Sequence, residues 1–211
     1  MAIAYPFLSE ELQCWRRGLR RVAGVDEAGR GPMAGPVVAA AVVLDPSDAA
    51  SWWGELRDSK LLSARVRERL AEAIRRSAEV GVGVVGPEVI DALGITIATC
   101  EAMRLALEEL SPTPDHILVD GRPLRSLALP HKALVGGDRR CLSIAAASVV
   151  AKVERDRLML EYEGLFPGYG FGRHKGYPTA GHVQALAKLG PCAIHRRSWA
   201  PVRILLEGLP L

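Results

Sequence analysis

Residues 36–44 read Pro-Val-Val-Ala-Ala-Ala-Val-Val-Leu, a run of nine residues without one polar side chain. A short apolar run rich in β-branched residues and bounded by turn residues predicts a buried strand. A Gly- and Pro-rich turn at residues 28–35 precedes it, and residues 20–27 before that turn predict another strand. The two strands can pair as a hairpin, so we expect a sheet at the centre of the fold.

Further along the chain, segments with helical periodicity alternate with short strands. Helices are predicted at 63–78 with Ser63 as N-cap, at 88–110 with a break at Gly94, at 143–163 and at 180–188. Strands are predicted at 80–85, 116–119 and 133–135, a loop at 166–179 and a short basic tail after 188. This order predicts an α/β fold, a mixed sheet flanked by helices, with a helical C-terminal extension.

The length of 211 residues suits one domain with additions, since a domain has roughly 150 residues. We expect residues 1–19 to form a short helical lead-in with Ser9 as its N-cap. Residues 20–211 are expected to form a single catalytic domain that includes the basic C-terminal part.

Composition excludes several classes of protein. Apolar residues make up 49% and charged residues 24%, which is typical of a globular chain. No apolar run reaches the ~18 residues of a membrane helix, and the N-terminus lacks the basic start and apolar block of a signal peptide. The cysteines are too scattered for a zinc pair or a disulfide framework; they are Cys14, Cys100, Cys141 and Cys192. We therefore expect a cytoplasmic protein with reduced cysteines and no membrane partner.

The positive charge is concentrated toward the C-terminus. Residues 139–203 contain 11 Lys and Arg against 4 Asp and Glu, whereas residues 1–138 contain 16 against 19. A local excess of this kind suits a polyanion such as nucleic acid. Ordinary scatter of surface charge is an equally good explanation of the count alone.

Acidic residues follow three of the predicted strands, each beside glycine or another small residue; they are Asp26, Glu27, Asp120 and Asp138. If those strands are neighbours, the four carboxylates meet at one edge of the sheet and need a counter-charge. Oxygen-only ligands suit Mg²⁺ or Mn²⁺ rather than zinc. Two such ions about 4 Å apart would clamp a phosphodiester and activate a water for in-line attack.

Taken singly, these acids are better explained as turn formers and helix caps, Asp120-Gly121 above all, because Asp-Gly is a common turn. Adjacent strand residues also face opposite sides, so Asp26 and Glu27 share one site only if the chain bends, for which Ala28-Gly29 is suitable. The four acids together, with an Asp-Glu pair inside an apolar segment, favour the metal site.

The segment Gly29-Arg-Gly-Pro-Met-Ala34 matches the loose pattern of a dinucleotide-binding loop. That pattern requires a following helix, whereas a proline-flanked strand follows here, so the match is weak. A tight loop whose backbone approaches a sugar–phosphate chain, with Arg30 beside a phosphate, is the better interpretation.

The motifs taken together resemble those of the ribonuclease HII family, the type 2 ribonucleases H. They occur in order over about residues 20–203: Ala23-Gly-Val-Asp-Glu-Ala-Gly-Arg-Gly-Pro32, Asp58-Ser-Lys-Leu-Leu-Ser63, Leu118-Val-Asp-Gly121, Ser143-Ile-Ala-Ala-Ala-Ser-Val-Val-Ala-Lys152, Tyr169-Gly-Phe-Gly-Arg-His-Lys-Gly-Tyr-Pro-Thr179 and His195-Arg-Arg-Ser-Trp199.

The resemblance implies an RNase H-like fold and metal-dependent cleavage of the RNA strand of RNA/DNA hybrids. It also implies incision 5′ of single ribonucleotides embedded in duplex DNA, a step of ribonucleotide excision repair, leaving 3′-OH and 5′-phosphate ends. The expected partners are therefore RNA/DNA hybrids and duplex DNA that contains ribonucleotides. The enzyme is expected to be a monomer that uses Mg²⁺ or Mn²⁺, with two ions in the active complex.

The family's functional residues map onto this chain one by one. The resemblance assigns catalysis and metal binding to Asp26, Glu27, Asp120 and Asp138. It assigns recognition of the ribose 2′-OH to Gly29, Arg30 and Gly31, and stacking on the following sugar to Tyr177. We add candidates for substrate contacts, namely Lys60, Ser148, Lys152, His174 and Lys175. For Ser148, helix packing is an equal alternative.

Two departures and two rival functions remain. Gly136 stands where the family usually has Lys before the fourth acid, so Arg139 or Arg140 would have to replace its phosphate contact, and Gly94 stands where the family commonly has Asn.

One rival is a non-catalytic nucleic-acid-binding module, although a pure binder gains nothing from acids that face phosphates. The other is a nuclease of the same fold acting on DNA alone, which the loop at 29–31 argues against.

Overall fold

The computed structural model describes residues 8–45, 47, 50–56, 62–121, 123 and 129–209. Within these ranges, one sheet contains the strands β1 (Val22–Ala28), β2 (Val37–Val43), β3 (Glu79–Val85), β4 (His116–Asp120) and β5 (His131–Leu134). The strands lie in the order β3-β2-β1-β4-β5. β1 pairs antiparallel with β2, and β2 with β3, whereas β4 and β5 run parallel to β1. The predicted hairpin and mixed sheet are confirmed.

The helices of the described part are α1 (Ser9–Arg16), α2 (Ala64–Ser77), α3 (Pro87–Leu93), α4 (Ile95–Glu108), α5 (Leu142–Leu165), α6 (Phe171–His174), α7 (Ala180–Leu189) and α8 (Ala200–Leu206). Ser63 caps α2 by accepting a hydrogen bond from the Val66 N–H. Gly94, with φ of 80°, separates α3 from α4 as predicted. No helix in the described ranges is long and apolar enough to cross a membrane.

The helices cover both faces of the sheet, and this explains the unbroken apolar run. All seven residues of β2 are buried. Alternate side chains, such as Ala39 and Ala41, pack against α4, whereas Ala40 and Val42 pack against α2 and α5. A strand that is covered on both faces has no solvent side, so no polar residue interrupts it.

Glycines in the strands let the helices approach closely. A Cβ at Gly24 of β1 would overlap the backbone of Ser143 and Ile144 in α5, and a Cβ at Gly83 of β3 would overlap the Ala102 carbonyl in α4. The sheet therefore accepts helix backbone where most strands present side chains. This contact sets the distance between α5 and β1 close to Asp26 and Glu27, the acidic pair of β1.

The C-terminal helices enclose the turn after β1. Ala34 packs with Met159 and Phe171, and Met33 packs with Leu186 and Val202. An antiparallel bridge joins Ala34 to His195. The predicted C-terminal extension is thus part of the wall around residues 29–36.

Four details differ from the sequence predictions. Ser9 is the first residue of α1 and not its cap: Leu8 occupies the cap position, without a side-chain hydrogen bond. β5 lies at 131–134 instead of 133–135, because pairing with β4 fixes its register and Gly136 then turns left-handed. The short helices α6 and α8, which need tertiary packing to persist, were predicted as loop and tail.

Candidate active site

Two neighbouring parallel strands bring three of the predicted acids to one end of the sheet. β1 and β4 pair with Val25 beside Val119, so Asp26 and Asp120 follow at adjacent positions. Glu27 is the next residue of β1, and its backbone N–H donates to Asp26 Oδ1 (2.7 Å). The convergence predicted from strand ends is observed for these three carboxylates.

The predicted bend comes after the acidic pair and not within it. β1 stays paired with β2 through Ala28, and only Gly29 takes a left-handed φ of 97°. Asp26 therefore meets the α5 side, where it accepts a hydrogen bond from the Ser148 hydroxyl. Glu27 lies on the α4 side, in a cavity it shares with Asp120. The acids flank the strand end from both faces.

The fourth acid reaches the same region through a short 3₁₀ turn. Gly137–Arg139 forms this turn, separated from the end of β5 by two residues. The Gly137 N–H donates to Asp120 Oδ1 (2.6 Å), which ties the turn to the end of β4. Asp138 is the next residue and is buried, with 8% of its surface exposed.

Burial and mutual repulsion act on these carboxyls. Burial, followed by repulsion from Glu27, raises the pKa of Asp26 well above its usual range. Burial also raises the pKa of Glu27, against the opposing effect of the Arg30 guanidinium. Asp120 adds repulsion to both. The cluster is therefore short of positive charge.

The donor set fits an oxygen-seeking divalent cation. Across the described residues, no three His, Cys, Asp or Glu side chains stand in an arrangement that could by itself hold a metal ion. The four acids nevertheless offer only carboxylate oxygens, and the repulsion among Asp26, Glu27 and Asp120 is of the kind that a divalent cation relieves.

A cavity of about 480 Å³ opens beside the acids. Glu27, Arg30 and Asp120 line one side, and the first turns of α4 line the other with Thr96, Thr99, Cys100 and Met103. Gly94 was recognised in the sequence as a helix break and as a departure from the family pattern, but these four residues were missed. The signal in the sequence was the break itself: a helix that begins after Gly94 directs the side chains of its first turns toward a neighbouring part of the protein.

The loop at 29–31 and Tyr177 lie side by side at the rim of this site. Arg30 Nη1 is 3.3 Å from Glu27 Oε1, and both Arg30 and Gly31 are exposed. A Cβ at Gly31 would stand 3.7 Å from Tyr177 Cε1. The Met33 N–H donates to the Gly176 carbonyl (2.9 Å), which joins the two segments. The structure thus brings together a loop and a ring that lie almost 150 residues apart in the chain.

The remaining candidates occupy different settings. Lys152 Nζ donates to Asp156 Oδ1 (2.7 Å), and Lys175 Nζ donates to the Asp156 carbonyl (3.3 Å). The two ring nitrogens of His174 contact the Tyr169 carbonyl and the Gly176 N–H. Lys60 lies outside the described residues. Substrate contacts by these side chains stay predictions.

Two arginines that sequence analysis left unassigned support the loop from behind. Arg155 and Arg196 are almost fully buried. Arg155 donates to the Ala34 and Pro36 carbonyls, and Arg196 donates to four carbonyls of residues 29–36. Because arginine is usually exposed, no sequence pattern marked them as interior residues.

Known proteins match this arrangement along most of the chain. Residues 23–202 match the model of a family described as Ribonuclease HII. The Ribonuclease HII of Syntrophotalea carbinolica is 53% identical over 189 residues, which cover 89% of each chain. The structure of ribonuclease H2 from Pyrococcus horikoshii OT3 superimposes with a TM-score of 0.75 at 27% identity, covering 89% of this chain and 98% of that one. Bst-RNase HIII in complex with Mn²⁺ has the same fold, with a TM-score of 0.71 at 19% identity over 89% and 69% of the two chains.

Proposed function

The chain belongs to the ribonuclease HII family and is a ribonuclease H, an endonuclease that acts on RNA/DNA hybrids; from this premise we propose that it also incises duplex DNA 5′ of a single embedded ribonucleotide. The products would carry 3′-OH and 5′-phosphate ends. This activity would place the enzyme in ribonucleotide excision repair.

One observation carries the proposal: the loop at 29–31 lies against Tyr177 and beside Glu27. Backbone groups can hydrogen-bond to a 2′-OH, the group that distinguishes RNA from DNA. Glycine lets the backbone approach without a Cβ in the way. An aromatic ring next to that loop lies flat only against a sugar that lacks a 2′-OH. The pair therefore suits a ribose followed by a deoxyribose.

The four carboxylates would hold the metal ions that cleavage requires, and Bst-RNase HIII, of the same fold, binds Mn²⁺. Mg²⁺ or Mn²⁺ bound there, as two ions in the active complex, would supply Lewis acidity at the phosphodiester and a nucleophilic water. The ligands we propose are Asp26, Glu27, Asp120 and Asp138. Their carboxylates supply the negative charge that binds a cation, and β1, β4 and the turn at 137–139 hold them in position.

Neighbouring groups of the protein orient these acids. The Ser148 hydroxyl and the Glu27 N–H donate to Asp26, and the Gly137 N–H donates to Asp120, so hydrogen bonds direct both carboxylates. Arg30 favours the ionised form of Glu27 and links the loop at 29–31, the proposed recognition loop, to the acids. We propose that Ser148 acts in this way in addition to packing α5.

Neither rival function accounts for both halves of the site. A binding module without catalysis would not bury several carboxylates at the end of the sheet, where they repel phosphates. A nuclease specific for DNA would have no use for a glycine loop against an aromatic ring. The cytoplasmic location stays a proposal, which the four free cysteines support. The monomeric state also stays a proposal.

The experiment is single-turnover cleavage of a duplex that contains one ribonucleotide, with Mg²⁺ and with a chelator. We expect cleavage on the 5′ side of the ribonucleotide that depends on the metal. If the enzyme degrades a uniform RNA/DNA hybrid but leaves this duplex intact, incision at single ribonucleotides is wrong.

Substitution of Tyr177 tests the stacking role in the same assay. Tyr177→Ala is expected to slow cleavage by roughly ten- to a hundredfold, because base or sugar stacking is worth about 1–3 kcal/mol. Tyr177→Phe keeps the ring and should lose far less. Equal damage by the two substitutions would instead point to a hydrogen bond from the hydroxyl.

The basic C-terminal part predicts strong dependence of binding on salt. Affinity for a hybrid should fall steeply as salt rises, because bound phosphates release their counterions. Arg140 is exposed and follows the turn that carries Asp138, so Arg140→Ala should lower the slope of log affinity against log salt by about one. Arg76→Ala, on the exposed surface of α2, is the control and should leave the slope unchanged. A slope near zero for the unmodified enzyme would exclude phosphate contacts by this region.

A further inference from the structure

Arg196 binds the turn that contains the recognition loop from its inner side. Its side chain is fully buried. Nη1 donates to the Arg30 carbonyl (3.0 Å) and Nη2 to the Gly29 carbonyl (2.5 Å). The same guanidinium donates to the Gly35 carbonyl (3.0 Å) and the Pro36 carbonyl (3.2 Å). One side chain therefore holds both ends of the segment 29–36.

This guanidinium forms its hydrogen bonds with carbonyl dipoles and not with an anion. Among the described residues, no carboxylate lies within ion-pair distance of Arg196 or of its neighbour Arg155. The charge lies over the Trp199 ring, 4.9 Å from its centroid. Burial, together with repulsion from Arg155, lowers the pKa of Arg196 to about 9, so the side chain is still positive at neutral pH.

The hydrogen bonds from Arg196 to these carbonyls determine the direction of the neighbouring backbone N–H groups. In a trans peptide, the C=O and the following N–H point in opposite directions. Because the Gly29 and Arg30 carbonyls point inward to Arg196, the N–H groups of Arg30 and Gly31 point outward. Neither amide has an acceptor among the described residues, and both residues are exposed. The turn thus presents two adjacent N–H donors at the rim of the active site.

The preceding residue, His195, supports the other half of the rim. His195 Nδ1 accepts from the Cys192 N–H (3.0 Å), so its Nε2 carries the proton and donates to His182 Nε2 (3.1 Å). His182 Nδ1–H then donates to the Tyr177 carbonyl (2.9 Å). Burial lowers the pKa of both histidines to about 4, so both are neutral in this chain of hydrogen bonds. Consecutive residues therefore support the loop and the ring.

We propose that Arg196 is a positioning residue for ribose recognition: by binding the Gly29 and Arg30 carbonyls, it turns the Arg30 and Gly31 amides toward the 2′-OH of the substrate. This rests on the proposed incision at single ribonucleotides. The ligand of the two amides is an oxygen acceptor on the sugar, and Arg196 itself touches no part of the nucleic acid.

The test measures selectivity for ribose in binding. Dissociation constants are determined in Ca²⁺ for two duplexes of one sequence, all-DNA and with one ribonucleotide. The unmodified enzyme should prefer the ribonucleotide by about tenfold, the worth of one or two hydrogen bonds. Arg196→Lys keeps the charge but loses the planar fork that spans several carbonyls, so this preference should nearly vanish.

Controls separate positioning from stability. Leu70→Ala removes a fully buried side chain of α2, away from the loop, and should lower stability while preserving the preference. If Arg196→Lys does not fold, Trp199→Leu removes the ring beneath the guanidinium but keeps its donors, and should reduce the preference partly. The proposal is overturned if the folded Arg196→Lys variant keeps the full preference for the ribonucleotide. If Trp199→Leu has to be used in place of Arg196→Lys, an unchanged preference in Trp199→Leu overturns it. So does the absence of any preference in the unmodified enzyme, whereas failure to cut the ribonucleotide duplex overturns the proposed function instead.

Discussion

Asp26→Asn is expected to reduce cleavage of RNA/DNA hybrids by more than about 100-fold. Substituting residues that merely support a metal ligand costs 10- to 100-fold, so loss of a ligand itself should cost more. The fold should survive, because the substitution removes one of several like charges that repel each other at the end of β1. Single-turnover rates at saturating Mg²⁺, together with a thermal denaturation curve, measure both quantities.

The matched control is Asp45→Asn. Asp45 is exposed, has a hydrogen bond to Ser47 and lies away from the acidic cluster. Its substitution should leave the rate unchanged, which shows that the chemical change alone is harmless. A near-normal rate for Asp26→Asn would remove Asp26 from the proposed metal site.

Gly24→Ala is expected to lower the free energy of unfolding by about 3 kcal/mol, at the upper end of the cost of overpacking a core. The added Cβ would overlap the backbone of Ser143 and Ile144, and a helix backbone cannot move aside as a flexible side chain can. Either α5 or β1 must shift, and α5 carries Ser148, whose hydroxyl orients Asp26. Cleavage should therefore fall even at temperatures where the variant is folded.

Gly181→Ala provides the opposite outcome for the same chemical change. Gly181 lies in α7 with open space around its Cβ position. Alanine should raise the free energy of unfolding by up to about 1 kcal/mol, because it is the better helix former. Urea denaturation of the two variants tests the pair, and equal effects would show that the close contact of α5 with β1 is not what makes Gly24 necessary.

Local patterns predicted most of the secondary structure. The apolar run of β2, the Ser63 cap of α2 and the break at Gly94 all depend on neighbouring residues, so they could be recognised in the sequence. The short helices α6 and α8 could not be, because so few turns are stable only when packed against other parts of the chain.

The acids of the candidate site could be selected from the sequence because each ends a strand or follows one. The sequence did not determine which strands are neighbours, and β4 pairs with β1 only through contacts between residues more than 90 positions apart. The cavity residues Thr96 and Thr99 were missed for the same reason, since their role depends on where α4 crosses the sheet.

Patterns in the sequence predicted the strands, the main helices, the candidate acids and the resemblance to one family. Tertiary packing alone explains why Gly24 admits a helix backbone and why Arg196 is an interior residue bonded to carbonyls some 160 positions away. Propensity and periodicity could not reveal these two features, because they report interactions within a few residues of one another. Burial of a charge and close approach of two backbones depend on which distant segments meet.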